Sequence, residues 1–94
     1  MTQSTKTHEL KTDPEPFMDV WKCIKTFELR KNDRDFQIGD TLILRQTEHS
    51  AADMKSKGLP LQYTGRKFVC TIAYILRDGY GLQDGYVILG IDYD

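Results

Sequence analysis

The run Phe68-Val69-Cys70-Thr71-Ile72-Ala73-Tyr74-Ile75-Leu76 constrains the fold more than any other stretch of this chain. It is apolar at almost every position and rich in β-branched and aromatic side chains, so both of its faces call for cover. A strand at the centre of a small barrel or sheet meets that need. Other segments can supply its neighbours: a short strand around His8 to Lys11, one from about Thr26 to Lys31, one over Thr41 to Arg45, and a last one from Tyr86 to Ile91. One helix is expected after the first strand. Either Thr12 with Glu15 forms a capping box, or Asp13 caps a helix whose first residue is Pro14. Phe17, Val20, Trp21 and Ile24 then recur at helical spacing as a buried stripe. The order β-α-β-β-loop-β-β predicts an α+β chain, mainly β.

Ninety-four residues support a single core. Residues 1–6 are polar and are expected to form a disordered tail before one domain over residues 7–92. A polar insertion loop is expected at 47–62. It includes Ser50-Ala51-Ala52-Asp53-Met54-Lys55, which fits a turn of helix, and it is either a binding flap or a tolerated insertion. Phe36 and Ile38 should anchor the connection between the second and third strands. The expected core is Leu10, Phe17, Trp21, Phe27, Leu29, Leu42, Leu44, Val69, Ile72, Val87 and Leu89.

No apolar run is long enough to cross a bilayer as a helix, and Met1 to Thr7 lacks the apolar core of a secretory signal. Cytoplasmic residence and a monomeric state are the default expectations. Cys23 and Cys70 read as reduced thiols. His8, Cys23, His49 and Cys70 are too scattered for a metal site, and the glycine-rich loop at 77–85 lacks the lysine and helix of a phosphate-binding loop, so neither metal nor cofactor is expected. The formal net charge of −1 argues against broad binding to duplex nucleic acid. A nucleic-acid role would rest on a local patch such as Lys22, Lys25, Arg30, Lys31 and Arg34.

The chemistry concentrates in Cys23-Ile24-Lys25-Thr26-Phe27-Glu28-Leu29-Arg30 and the following Asn32-Asp33-Arg34. Alternation puts Phe27 and Leu29 on one face, expected to be the core, and Thr26, Glu28 and Arg30 on the other. Glu28 and Arg30 would stand roughly 6.6 Å apart along the strand, close enough to share a small ligand or to pair. The same pattern fits an ordinary solvated strand face.

The order of these residues resembles the signature of the ASCH domain, within the PUA-like superfamily. That signature reads Gly-x-Lys-x-x-Glu-x-Arg, matched here at Lys25, Glu28 and Arg30, with Cys23 at the glycine position. His8-Glu9-Leu10-Lys11, the stretch Asn32-Asp33-Arg34-x-Phe36-x-x-Gly39-Asp40 and Tyr86-Val87-Ile88-Leu89 extend the likeness from His8 to Ile91, towards a small ASCH-related group common in phages and mobile elements. The resemblance implies a small β-barrel with one N-terminal helix, proposed in that family to bind RNA. The site it implies comprises His8, Lys11, Lys25, Glu28, Arg30, Asn32, Asp33 and Arg34. Tyr63 or Tyr80 would stack on a base, and Trp21 is a second, weaker candidate platform beside its expected place in the core.

Some relatives hydrolyse an N4-acylated cytidine with a lysine, a threonine and a later glutamate. Here Lys25 matches, but Glu28 occupies the threonine's position, Thr26 is displaced by two residues, and no glutamate follows Glu48. Only aspartates such as Asp78 and Asp84 remain for the last role. The sequence therefore favours an RNA- or nucleotide-binding module without catalytic residues. A small amidohydrolase using Lys25 and Glu28 as acid-base groups is the alternative, and a protein-interaction adaptor is a third.

Overall fold

A computed structural model describes residues 5–77 and 79–93. Five strands, β1 (Thr7–Thr12), β2 (Phe27–Lys31), β3 (Thr41–Thr47), β4 (Tyr63–Leu76) and β5 (Tyr86–Tyr93), form one curled sheet in the order β1-β3-β4-β5-β2. Only the β1–β3 pair is parallel. Helix α1 (Pro14–Trp21) connects β1 to β2, and α2 (Ala51–Lys57) lies between β3 and β4. The chain is thus α+β and mainly β. The expected barrel is not closed: β1 and β2 end the sheet as edge strands with no backbone ladder between them.

The apolar run from Phe68 to Leu76 does occupy the central strand, but it is covered on one side only. Along β4, Cys70 and Ile72 are buried while Val69 is 48% exposed, which corrects its expected place in the core. A bulge between Ile72 and Tyr74 shifts the alternation by one residue, so that beyond it Ile75 packs inward and Tyr74 outward. The core on the inner side joins Leu10, Phe17, Val20, Phe36, Leu42, Leu44, Cys70, Ile72, Val87, Leu89 and Ile91.

α1 begins at Asp13, followed by Pro14 at the first helical position. The Asp13 side chain caps no amide of its own helix; its Oδ1 accepts from the Ala51 amide at 3.0 Å and so ties the start of α2 to the start of α1. Phe17 and Val20 are buried, but the expected stripe stops there. Trp21 is half-exposed beside Phe17 and Phe68, and Ile24 lies in solvent beyond the helix end. The reversal falls at Cys23, whose φ of 60° is a left-handed conformation that ends helices and that glycine adopts without strain. Between β2 and β3, Phe36 is buried, as expected, whereas Ile38 is 60% exposed and anchors nothing.

The largest correction concerns β2. Phe27 and Leu29 are 45% and 53% exposed on the outer face, and Glu28 is 2% exposed on the inner one. The alternation is as expected but its two faces are exchanged. A buried carboxylate is tolerated only when cations and hydrogen bonds replace its hydration, and Glu28 has both.

At the far end of β1, His8 Nε2 lies 2.8 Å from Asp40 Oδ2, with the imidazole edge-on to Phe36. Asp40 also accepts from the amides of Lys6 and Gln37, each at 3.1 Å. Lys6 is thereby held against the body of the fold, as is its carbonyl by the Thr41 amide, although the sequence places it in a disordered tail; residues 1–4 of that tail lie outside the described residues. Burial alone would raise the Asp40 carboxyl, but the hydrogen bonds from His8, Lys6 and Gln37 together with the His8 charge outweigh it, and the pKa falls below the ordinary value. A depressed carboxylate pKa contributes stability that is complete above the unfolded value, about pH 4, and is lost as pH falls through the folded one. Asp40→Asn should therefore lower stability by about 1.5–3 kcal/mol at pH 7. Denaturant titrations should show the wild-type advantage shrinking below about pH 4.

Candidate functional site: a cleft at the strand seam

Where a closed barrel would pair β1 with β2, side chains span the gap. Arg30 of β2 donates from Nη1 to the Lys11 carbonyl at 3.0 Å and from Nη2 to Thr12 Oγ1 at 3.2 Å. Arg34, just after β2, donates from Nη1 to the Glu9 carbonyl. A cleft of about 440 Å³ opens along this seam, inside the range of roughly 300–1,000 Å³ usual for small-molecule sites.

Glu28 organises the inner end of the cleft. Its Oε2 accepts from Lys25 Nζ at 2.5 Å, and its Oε1 accepts from Arg30 Nη2 at 2.8 Å and more distantly from Nε at 3.3 Å. The carboxylate is almost completely enclosed, while the two cations keep about a fifth of their surface open. Lys25 is fixed by its backbone on both sides. Its amide donates to the Asp19 carbonyl at 3.0 Å, and its carbonyl accepts from the Tyr93 hydroxyl at 2.7 Å. Burial, with a smaller push from Cys23 and Cys70, raises the Tyr93 phenol above its usual range and keeps it a donor.

With both oxygens engaged, Glu28 positions the two cations. The donors left for a ligand are theirs: two of the three Lys25 N–H groups and one Arg30 N–H make no hydrogen bond to the described residues. Among the charged residues lining the cleft, Lys11, Lys25, Arg30 and Arg34 face only Asp13 and Glu28. A chain with a net charge of −1 thus carries a locally cationic cleft.

Of the residues expected to form one site, Lys11, Lys25, Glu28, Arg30 and Arg34 line the cleft. His8 does not; it is buried against Asp40 and Phe36, four residues along β1 from Thr12. Asn32 serves the turn, where its Oδ1 accepts from the Phe36 amide at 3.2 Å. Asp33 is exposed, 3.8 Å from Arg34. Neither aromatic candidate lines the cleft: Tyr63 lies under the Arg45 guanidinium at 3.7 Å, and Tyr80 projects from the 79–85 loop. Trp21 does not line it either. Asp84 is exposed in that same loop, and Asp78 lies outside the described residues.

Sequence reasoning missed Thr12, Thr47, Ala51 and Met54, which also line the cleft. Thr12 was detectable, since it shares the inward period of His8 and Leu10 in β1. Ala51 and Met54 come from α2, so the polar segment 47–62 forms one wall. Ser50 caps that helix, accepting from the Asp53 amide at 3.1 Å, and Gly58 ends it in a left-handed turn. No group of His, Cys, Asp and Glu suited to a metal ion occurs among the described residues.

Fold and site together define a small, mainly β domain whose open sheet edge holds a cationic cleft. The chain belongs to the DUF3850 family, a domain of unknown function, whose model matches residues 7–91. No curated protein matches the chain.

Removing the central carboxylate should expose its role as an organiser. Glu28→Ala leaves two cations facing each other and should cost about 3 kcal/mol in chemical denaturation. Added salt should recover part of that loss by screening the repulsion between Lys25 and Arg30.

Proposed function

We propose that the seam cleft binds a phosphate-bearing ligand, a nucleotide or a short stretch of single-stranded RNA, and that it does so without turnover. One observation carries this reading: Lys25 and Arg30 are held by a buried carboxylate yet keep N–H donors free at the cleft. Guanidinium and ammonium groups fixed in advance suit phosphate oxygens, because little side-chain freedom is lost on binding. The cleft's size favours a small ligand or one segment of a strand over a duplex. Among the described residues no aromatic side chain lines the cleft, so phosphate and base-edge contacts would dominate over stacking.

Relationship to the ASCH domains is part of the same proposal. The Lys25, Glu28 and Arg30 constellation supports it, as does the left-handed backbone of Cys23 at the position where that signature has glycine. A curled sheet with a side-chain seam is also compatible with a barrel of that kind opened at one joint.

The amidohydrolase reading retains one point in its favour, because two threonine hydroxyls do reach the cleft from outside the motif. Neither is activated. Thr47 Oγ1 donates its one proton to the His49 carbonyl at 2.7 Å, with the Thr12 carbonyl farther off at 3.3 Å, and Thr12 Oγ1 lies between the Leu10 carbonyl and Arg30. A hydroxyl nucleophile needs a base in contact with it. Glu28, the nearest carboxylate in the constellation, is already saturated by cations.

Fluorescence titration with a labelled single-stranded RNA oligonucleotide and with a nucleoside monophosphate tests the proposal. Lys25→Ala and Arg30→Ala should each weaken binding by roughly tenfold or more, the equivalent of one lost charge-assisted contact. Equal affinities for wild type and both variants would refute a binding role. Deacylation of N4-acetylcytidine by wild type that vanishes in Lys25→Ala would replace it with the hydrolase.

A further inference from the structure

On the outer face of β4, β5 and β2, Leu29 alone among the described residues also borders the cleft, and the face carries its own pattern. Four rows cross β4, β5 and β2, following the strand registers. Tyr86 and Lys31 make the first row, and Leu76, Ile88 and Leu29 the second. Tyr74, Gly90 and Phe27 make the third, and Thr71 and Asp92 the fourth. The two middle rows are apolar, with Tyr74 60% exposed beside Phe27 and Leu29. The single charges lie at opposite ends: Lys31 at one, Asp92 at the other. Both are exposed, and neither has a salt bridge among the described residues.

We propose that this face pairs with the same face of a second copy, making a symmetric dimer. The rows are self-complementary about the level of Leu89 and its register partner Glu28. A two-fold axis lying in the interface and crossing the strands at that level exchanges the second row with the third. It lays Ile88 of each copy over Gly90 of the other. Gly90 has no side chain and sits between Phe27 and Tyr74, with the Tyr74 Cβ only 3.2 Å from where a Cβ of its own would stand. A branched aliphatic side chain thus meets a notch walled by two aromatic rings, and symmetry makes the match twice. The same axis sets each Lys31 end over the other copy's Asp92 end. An axis running along the strands would instead oppose lysine to lysine and aspartate to aspartate, so charge selects the antiparallel arrangement. Aligned face-to-face packing of sheets is a common way to bury such a surface. The two faces of β2 would then serve two purposes, with Glu28 and Arg30 on the cleft, Phe27 on the second copy and Leu29 at the border of both.

Sedimentation equilibrium of the full chain over roughly 1–200 μM, a span suited to modest interfaces, tests the arrangement. Wild type should reach twice the monomer mass. Lys31→Glu and Asp92→Lys should each weaken the dimer by about tenfold or more, because each change acts at two symmetric contacts. The double variant Lys31→Glu/Asp92→Lys should restore it. The three variants change only these two surface positions, so unchanged thermal melts would establish that folding is intact. A monomeric wild type throughout that range overturns the proposal. So does a dimer indifferent to both single reversals, or one that the double variant fails to restore.

Discussion

The buried carboxylate of Glu28 is the interaction on which the arrangement of this domain turns. Enclosed in protein and held by two cations, it sets which side of β2 faces inward. It also draws Lys25 and Arg30 out of the conformations they would sample in water. From there Arg30 reaches the carbonyl and hydroxyl groups of β1 and closes the seam that backbone pairing leaves open. An ion triad of this kind adds little net stability compared with a well-packed apolar substitute. Its effect is geometric: one charge fixes two side chains, one strand orientation and the join between two sheet edges.

A second polar cluster does comparable work at the opposite end of β1. Asp40 gathers the Lys6 and Gln37 amides and the His8 ring, and so fastens the start of the first strand to the turn before β3. The parallel β1–β3 pair is therefore secured at one end by an aspartate and at the other by an arginine. Between the two clusters the core is aliphatic and aromatic, with α1 packed against β3 on the inner side of the sheet.

Much of the architecture was legible in the sequence because it depends on local signals. Five strands, a helix starting within Thr12–Pro14 and the central place of Phe68–Leu76 follow from alternation, capping and β propensity. The choice of face in β2 was not legible by the same means. Alternation divides Phe27 and Leu29 from Glu28 and Arg30, but hydrophobicity then assigns the apolar pair to the core. The energy that reverses this choice comes from Lys25, outside the strand, and from a seam between segments nearly twenty residues apart. His8 misled for a related reason: a histidine near a motif strand looks like a site residue until Asp40, more than thirty residues on, is seen to hold it. Ile24 failed because the helix ends one turn early, before a left-handed cysteine with no distinctive sequence signal, and Trp21, the last helical residue, is left half-exposed.

The clean two-residue period of β2 carries a consequence for how the gene encoding it can change. Substitutions on either face alter one surface and leave the other intact. A deletion or insertion of a single residue ahead of Phe27 would shift the parity of the whole strand. Phe27 and Leu29 would turn into a cationic cleft, and Glu28 would move out to water, away from both partners. The segment from Cys23 to Lys31 therefore admits variation in spelling far more readily than variation in length.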